Sequence, residues 1–296
     1  MKKKIAAILF YCFLALASNS YAQDDLLKIL ENESTTTVKE PVTATFKSTR
    51  LINGHSIENN KTGVLQFMIL HRFGEVDGGG YELFGLDEAT MRMGFDYGIA
   101  NWLNVGIGRS TFEKTYDGHV KVKWLRQRKG GLPITLTTVS TAALKSVKFS
   151  ETERKNYFSS RMYYTHQVLI GSKVTDALSL QLMPTFIHRN LTANVADKND
   201  VYAMGVGGRI KLSRSITFNV EYYYVLPDQI ADQYKNSFSV GFDIETGGHV
   251  FQLHFTNSRS MTEKGFIAET TGDWAKGNIR FGFNLNRVFT LYNPGK

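Results

Sequence analysis

The sequence predicts an all-β chain: a transmembrane antiparallel up-and-down β-barrel of about 12 strands with an apolar outer wall and a wet interior. Three observations carry this expectation. Segments late in the chain alternate strictly between bulky apolar and polar residues, their number is even, and the connections between them alternate between long and short. Successive side chains of a strand point to opposite faces, so a period of two separates one greasy face from one polar face.

The alternation is plainest over 215–225, where Ile216, Phe218, Val220, Tyr222 and Tyr224 interleave with Thr217, Asn219, Glu221 and Tyr223. Phe238, Val240, Phe242 and Ile244 repeat it against Ser239, Gly241, Asp243 and Glu245, and Phe281, Phe283 and Leu285 against Arg280, Gly282 and Asn284. Extending the pattern backwards gives strands near 63–73, 90–99, 102–110, 117–126, 132–143 and 158–171. Six more follow near 176–188, 200–212, 215–226, 236–245, 249–257 and 277–288. Connections such as 74–89, 145–157 and 258–276 are long, whereas 100–101, 127–131, 172–175, 213–214 and 246–248 are short. Long outer loops and short periplasmic turns produce that alternation, and crossovers of a soluble sandwich do not. Trp102 and Trp124 beside short turns, and Phe73, Tyr157, Phe158, Tyr224 and Tyr234 beside long loops, suit two aromatic belts. Pro184 interrupts this scheme, because it removes a ladder donor from a strand with no free edge, and a bulge or break is expected there.

The N-terminus reads as an export signal over 1–22. Lys2–Lys4 are basic, 5–17 is apolar but shorter than the roughly 20 residues of a membrane-spanning helix, and Ser20-Tyr21-Ala22 offers small residues for cleavage. Cys12, the only cysteine, lies in that signal, which excludes disulfides, thiolate catalysis and cysteine metal sites from the rest. Removing Lys2, Lys3 and Lys4 lowers the formal charge from +8 to +5, with both signs dispersed, so nucleic acid is not an expected partner. A mean hydropathy of −0.22 looks soluble only because barrel strands hide their apolar positions one in two. Residues 23–62 differ from the rest: a short Leu26–Leu30 stretch, a polar linker, weak alternation over 43–51, then an Asn53-Gly54 turn. They form a periplasmic arm, a plug inside the barrel or an extra hairpin, and 63–296 form the barrel itself.

Alternation places Arg92, Asp96, Lys121, Lys123, Arg161, Arg209, Lys211, Glu221, Asp243, Glu245, His254 and Arg280 toward the lumen. Charges of both signs on neighbouring strands favour pairing across the interior, and a barrel of about 12 strands lies between those filled by side chains and those holding a channel. No cofactor and no metal is expected. His249 and His254 are an odd number of residues apart and face opposite sides, and 75–80 lacks the spaced acidic ligands of a calcium loop. Gly106 and Gly108 precede no helix and are read as thinning the inner wall. His55-Ser56 has no acidic partner at fixed spacing. A membrane lipase needs His and Ser on adjacent strand positions at the lipid boundary, and the linear pattern shows no such pair, so the chain is not expected to be an enzyme.

The segment 44–54, then Leu70-His71-Arg72-Phe73-Gly74, then 82–87, with Tyr97-Gly98-Ile99 and 106–110, resembles a membrane-bound β-barrel domain family of unassigned function from Bacteroidota. The resemblance implies an outer-membrane barrel and brings no site residues with it. The expected function is therefore an outer-membrane barrel acting as a narrow pore or channel for small solutes. The alternative is a closed structural or surface-interaction barrel that meets a partner through its long outer loops. Expected partners are outer-membrane lipid and, during insertion, the barrel-assembly machinery.

Overall fold

A computed structural model describes residues 40–149, 153 and 155–293, so the expected export signal over 1–22 and residues 23–39 of the segment after it, with the Leu26–Leu30 stretch, lie outside the described residues. Twelve antiparallel strands close into one barrel in which every strand pairs with its sequence neighbours and β1 pairs with β12. They are β1 (Val64–Glu75), β2 (Ala89–Ala100), β3 (Leu103–Ser110), β4 (Thr115–Leu125), β5 (Thr135–Lys145) and β6 (Met162–Lys173). The second half comprises β7 (Leu178–Arg189), β8 (Asp200–Lys211), β9 (Ile216–Val225), β10 (Phe238–Thr246), β11 (His249–Thr256) and β12 (Arg280–Thr290). The start of β1 and the end of β12 share one end, called here the turn end; the opposite end carries the longer loops.

The wall inverts the arrangement of a soluble protein. On β3, Asn104 is 1% exposed while Ile107 is 66% exposed. Phe95, Leu182, Met204, Phe242 and Leu253 likewise lie on the outside, and Gln66, Asn219, Gln252 and Asn284 lie within. Closure leaves no unpaired edge, the condition a sheet must meet to stand in hydrocarbon. Trp102 and Trp124 are exposed at the turn end, and Tyr116, Tyr202 and Tyr224 at the loop end.

Two connections depart from the expected alternation. The β3–β4 connection, between Ser110 and Thr115, is the tightest at the loop end, with Glu113 and Lys114 at φ 53° and 47°. It is tight because Tyr116 still pairs with Arg109. At the turn end the β4–β5 connection is longer than read, since pairing starts only at Thr135, two residues beyond Pro133, which has no N–H to give. Pro184 causes neither a bulge nor a break. β7 continues through it and keeps its register with β8 at Met204, whereas on the β6 side the pairs at Val168 and Leu169 are missing without a register shift.

Residues 41–62 precede β1 and enter the barrel. Asn53-Gly54 turns the chain as the sequence suggests: Leu51 N donates to Gly54 O at 2.9 Å, Ser56 N donates to Thr49 O at 3.0 Å, and Arg50 bridges His55. The resulting hairpin is buried throughout from Ser48 to Ile57.

Candidate functional site

The interior of the barrel is occupied from both ends. From the turn end comes the hairpin, whose backbone is held by wall side chains rather than by a ladder. Glu221 on β9 accepts from three consecutive backbone amides, Ile52 at 3.2 Å, Asn53 at 3.2 Å and Gly54 at 3.0 Å. Gln181 on β7 brackets the next turn, accepting from Ile57 N and donating to His55 O, both at 2.8 Å. Asn284 donates to Ile52 O at 2.9 Å, Gln252 to Leu51 O at 2.9 Å, and Arg209 to Thr45 O at 2.7 Å. Arg72 Nη2 donates to Asn53 Oδ1 at 2.8 Å, and Lys121 donates to Glu58 O. Amides taken from water must find partners, and here the lumen wall supplies them. Gly54 is required by space: a Cβ there would stand 2.1 Å from Tyr223 Oη.

From the loop end, the β11–β12 connection folds inward. Met261, Phe266, Ile267 and Ala268 are fully buried; Phe266 packs edge-on against Tyr223 at 5.3 Å, and Met261 joins Met68 and Leu70. Hairpin and loop meet at one ion pair, Arg50 Nη1 to Glu263 Oε1 at 3.0 Å, with both side chains under 5% exposed. His55 Nε2 lies 3.4 Å from the same carboxylate. Burial, then the charge of Arg50, holds His55 well below its ordinary range and therefore neutral. Nearer the loop end, Lys264 bridges Glu269 at 2.8 Å and Glu113 at 3.6 Å and lies over the Tyr163 ring. Burial opposes its charge, but Glu269 and Glu113 outweigh that and raise its pKa.

Among the described residues a pocket opens at each end, and the two share no lining residue. A basin of about 450 Å³ at the loop end includes Lys145, Lys148, Phe149, Arg161, Tyr163, Tyr234 and Lys264. A funnel of about 280 Å³ at the turn end lies between Lys47, Glu58, Gln66, Glu245 and His249.

Among the residues expected at the lumen, Arg92, Asp96, Lys121, Arg209, Glu221, Asp243, His254 and Arg280 are buried inside the barrel. Arg92 pairs with Asp117, and Asp96 lies 3.8 Å from His119. Lys123 is partly buried, 4.0 Å from Glu58, and Glu245 sits at the turn-end rim against Lys47. Two placements need correction. Arg161 is not on a strand: β6 begins one residue later, and Arg161 ends the short helical turn Ser159–Arg161, where it donates to Lys145 O at 3.2 Å. Lys211 is the last residue of β8 and is exposed, because at a strand end solvent reaches both faces and parity no longer sorts them. The glycine reading fits the geometry, since a Cβ on Gly106 would stand 2.2 Å from His119 Cε1 and 2.4 Å from Asp96 Oδ1. Arg50, His55 and Glu263 were not legible as a group, because they are joined only across more than 200 residues of sequence.

A family model described as membrane-bound β-barrel domain (DUF5777) matches residues 46–289. The chain belongs to this family. Because the match begins at residue 46, the hairpin lies within the membrane-bound β-barrel domain. No curated protein matched the sequence. Among solved structures, the chain is similar to the NanC porin at 10% identity and TM-score 0.47, over 77% of this chain and 100% of that one. It is similar to the KdgM porin at 11% identity and TM-score 0.46, over 76% of this chain and 99% of that one. The COG4313 outer membrane channel from Pseudomonas putida F1 shows 12% identity and TM-score 0.46, over 79% of this chain and 98% of that one.

Proposed function

We propose that this membrane-bound barrel is an outer-membrane channel for small solutes that is closed at rest and opens when the 44–60 hairpin and the inward 260–268 segment both leave the lumen. The supporting observation is the chemistry of the hairpin's seat. Its backbone is held by Glu221, Gln181, Asn284, Gln252 and Arg209, polar groups that water can serve equally well once the hairpin withdraws. A plug held by apolar packing alone would leave a dry, collapsing cavity behind it. The outer-membrane location rests on the export signal read at 1–22 together with the lipid-facing wall.

Planar-bilayer recordings test this reading. The intact protein should be silent, and a variant lacking 44–60 with 260–268 shortened should conduct steadily. A folded variant of that kind that stays silent under voltage overturns it. A second reading, a closed barrel that binds a surface partner, is favoured by the loop following β1, where Tyr81, Leu83 and Phe84 are exposed. Substituting these three by Ser should then abolish partner capture without changing conductance.

A further inference from the structure

The basin at the loop end lies over the mouth of the lumen, where separate connections converge. The β3–β4 turn brings Glu113, the β5–β6 connection brings Lys148, Phe149 and Arg161, and the β7–β8 connection brings Thr192. Tyr234 comes from the β9–β10 connection, and Lys264 and Glu269 come from the inward segment between β11 and β12.

The floor of the basin is fixed. Lys264 is 8% exposed and lies 4.8 Å from the centre of the Tyr163 ring, itself 5% exposed. Lys264 stands 2.8 Å from Glu269 and 3.6 Å from Glu113. Glu113 also takes Lys145 at 2.5 Å, and Glu269 takes Arg189 at 3.3 Å. Each carboxylate is therefore already shared between two cations. Arg161 and Lys148 stand outside these pairs, so four cations of the lining face only two carboxylates. Arg161 is held in place: its guanidinium lies 3.9 Å from the centre of the Phe149 ring, and Nη1 donates to Lys145 O at 3.2 Å. A guanidinium offers its donors in a rigid fork that matches the oxygens of a carboxylate or phosphate.

The charge and the acceptors together define a ligand. Surplus positive charge at the mouth favours a solute carrying two negative charges. Glu113 and Glu269 would repel a solute that was anionic over its whole surface, whereas they accept hydrogen bonds from hydroxyl groups. A volume of about 450 Å³ lies in the range of small-molecule sites.

We propose that this basin is the solute-binding site at the loop-end mouth and that its ligand is a small hydroxylated dianion, such as a sugar phosphate or a hydroxy dicarboxylate. The anionic groups meet Arg161, Lys148 and Lys264, and the hydroxyls donate to Glu113 and Glu269. Calling the ligand a transported solute rests on the channel reading above, whereas the binding itself does not.

Calorimetric titration of the full-length protein in uncharged detergent tests the site, with folding checked by heat-dependent gel migration. Glucose 6-phosphate and tartrate are the phosphate and carboxylate probes. At least one should bind, and the one that binds more tightly names the anionic group. Glucose, which lacks the charges, should not bind. Succinate, which lacks the hydroxyls, should bind at least about fivefold more weakly than tartrate or not at all. R161Q should lower the association constant at least about tenfold, the scale of a lost hydrogen bond between charged groups. K148Q changes an exposed side chain and should lower it about threefold, which keeps the test valid if R161Q misfolds. K276Q, outside the lining, should bind as the wild type does. No binding of either dianion, unchanged binding in both K148Q and R161Q, or succinate binding as tightly as tartrate overturns the proposal. If a dianion binds while the variant shortened in both plug segments stays silent in bilayers, the channel reading falls and the site stands.

Discussion

Replacing Glu221 by Ala tests directly whether the wall carboxylate seats the hairpin. The change removes the acceptor for three backbone amides, Ile52, Asn53 and Gly54, at 3.2, 3.2 and 3.0 Å. A hydrogen bond to a charged acceptor contributes about 1.5–3 kcal/mol, so three bonds set an upper range near 4.5–9 kcal/mol. The lumen is polar, and water entering the vacated volume will serve some of these amides. About 3 kcal/mol is therefore the expected loss, or roughly 100-fold in the equilibrium for hairpin release. Hydrogen exchange of a peptide spanning 49–57 reports that equilibrium, and its exchange should accelerate by that factor while strand peptides of β6 and β7 stay protected. E221Q should fall between the two, because its single carbonyl oxygen can replace the Oε2 that serves Ile52 and Gly54 but turns a donor toward Asn53. Unchanged protection of 49–57 in E221A would refute the argument that the wall holds the hairpin by its backbone.

Further expectations follow the same interior. G54A forces a Cβ to 2.1 Å from Tyr223 Oη and should loosen the hairpin by about 1–3 kcal/mol, with Y223F restoring part of it in a double-mutant cycle. R50A strands the buried Glu263 and should destabilise the hairpin–loop junction by about 3–5 kcal/mol in denaturant unfolding, whereas adding E263A should recover much of the loss. His55 faces Arg50, Arg92, His119, Lys121 and Glu263. Its folded pKa is depressed, so its contribution is complete above its ordinary 6.5 and is lost as pH falls below that value. Exchange over 49–57 should thus rise between pH 7.5 and 5.5, and H55Q should flatten that rise. At the loop end, burial would raise Glu113, but Lys264 and Lys145 outweigh it and depress its pKa, while Lys264 itself is raised. The stability from Glu113 is present above its ordinary 4.5 and lost as pH falls through its folded value; that from Lys264 is present below 10.5 and lost as pH rises through its folded value. K264M should abolish the alkaline limb in a pH series of thermal unfolding and weaken the acid limb, of which the part due to Lys145 remains.

Much of the barrel was legible because it is written in a local period. Phe218 beside Asn219 and Ile107 near Asn104 declare two faces with no knowledge of neighbours, and closure follows once every strand carries the same two faces. Alternation lost its force where strands end, which is why Arg161 and Lys211 were misplaced and the β3–β4 connection was read as longer than it is. The turn at Asn53-Gly54 was legible as a turn, but a place inside the lumen was only one of three readings the sequence left open for its segment.

By itself, then, the order of residues determined which side of each strand meets lipid and how many strands close the wall, since that information repeats every second position. The tertiary structure alone decided that Glu221 receives the hairpin and that Glu263 returns from the opposite end to meet Arg50. Such meetings depend on strand register and on chain segments far apart in sequence, and no period within a single segment encodes them.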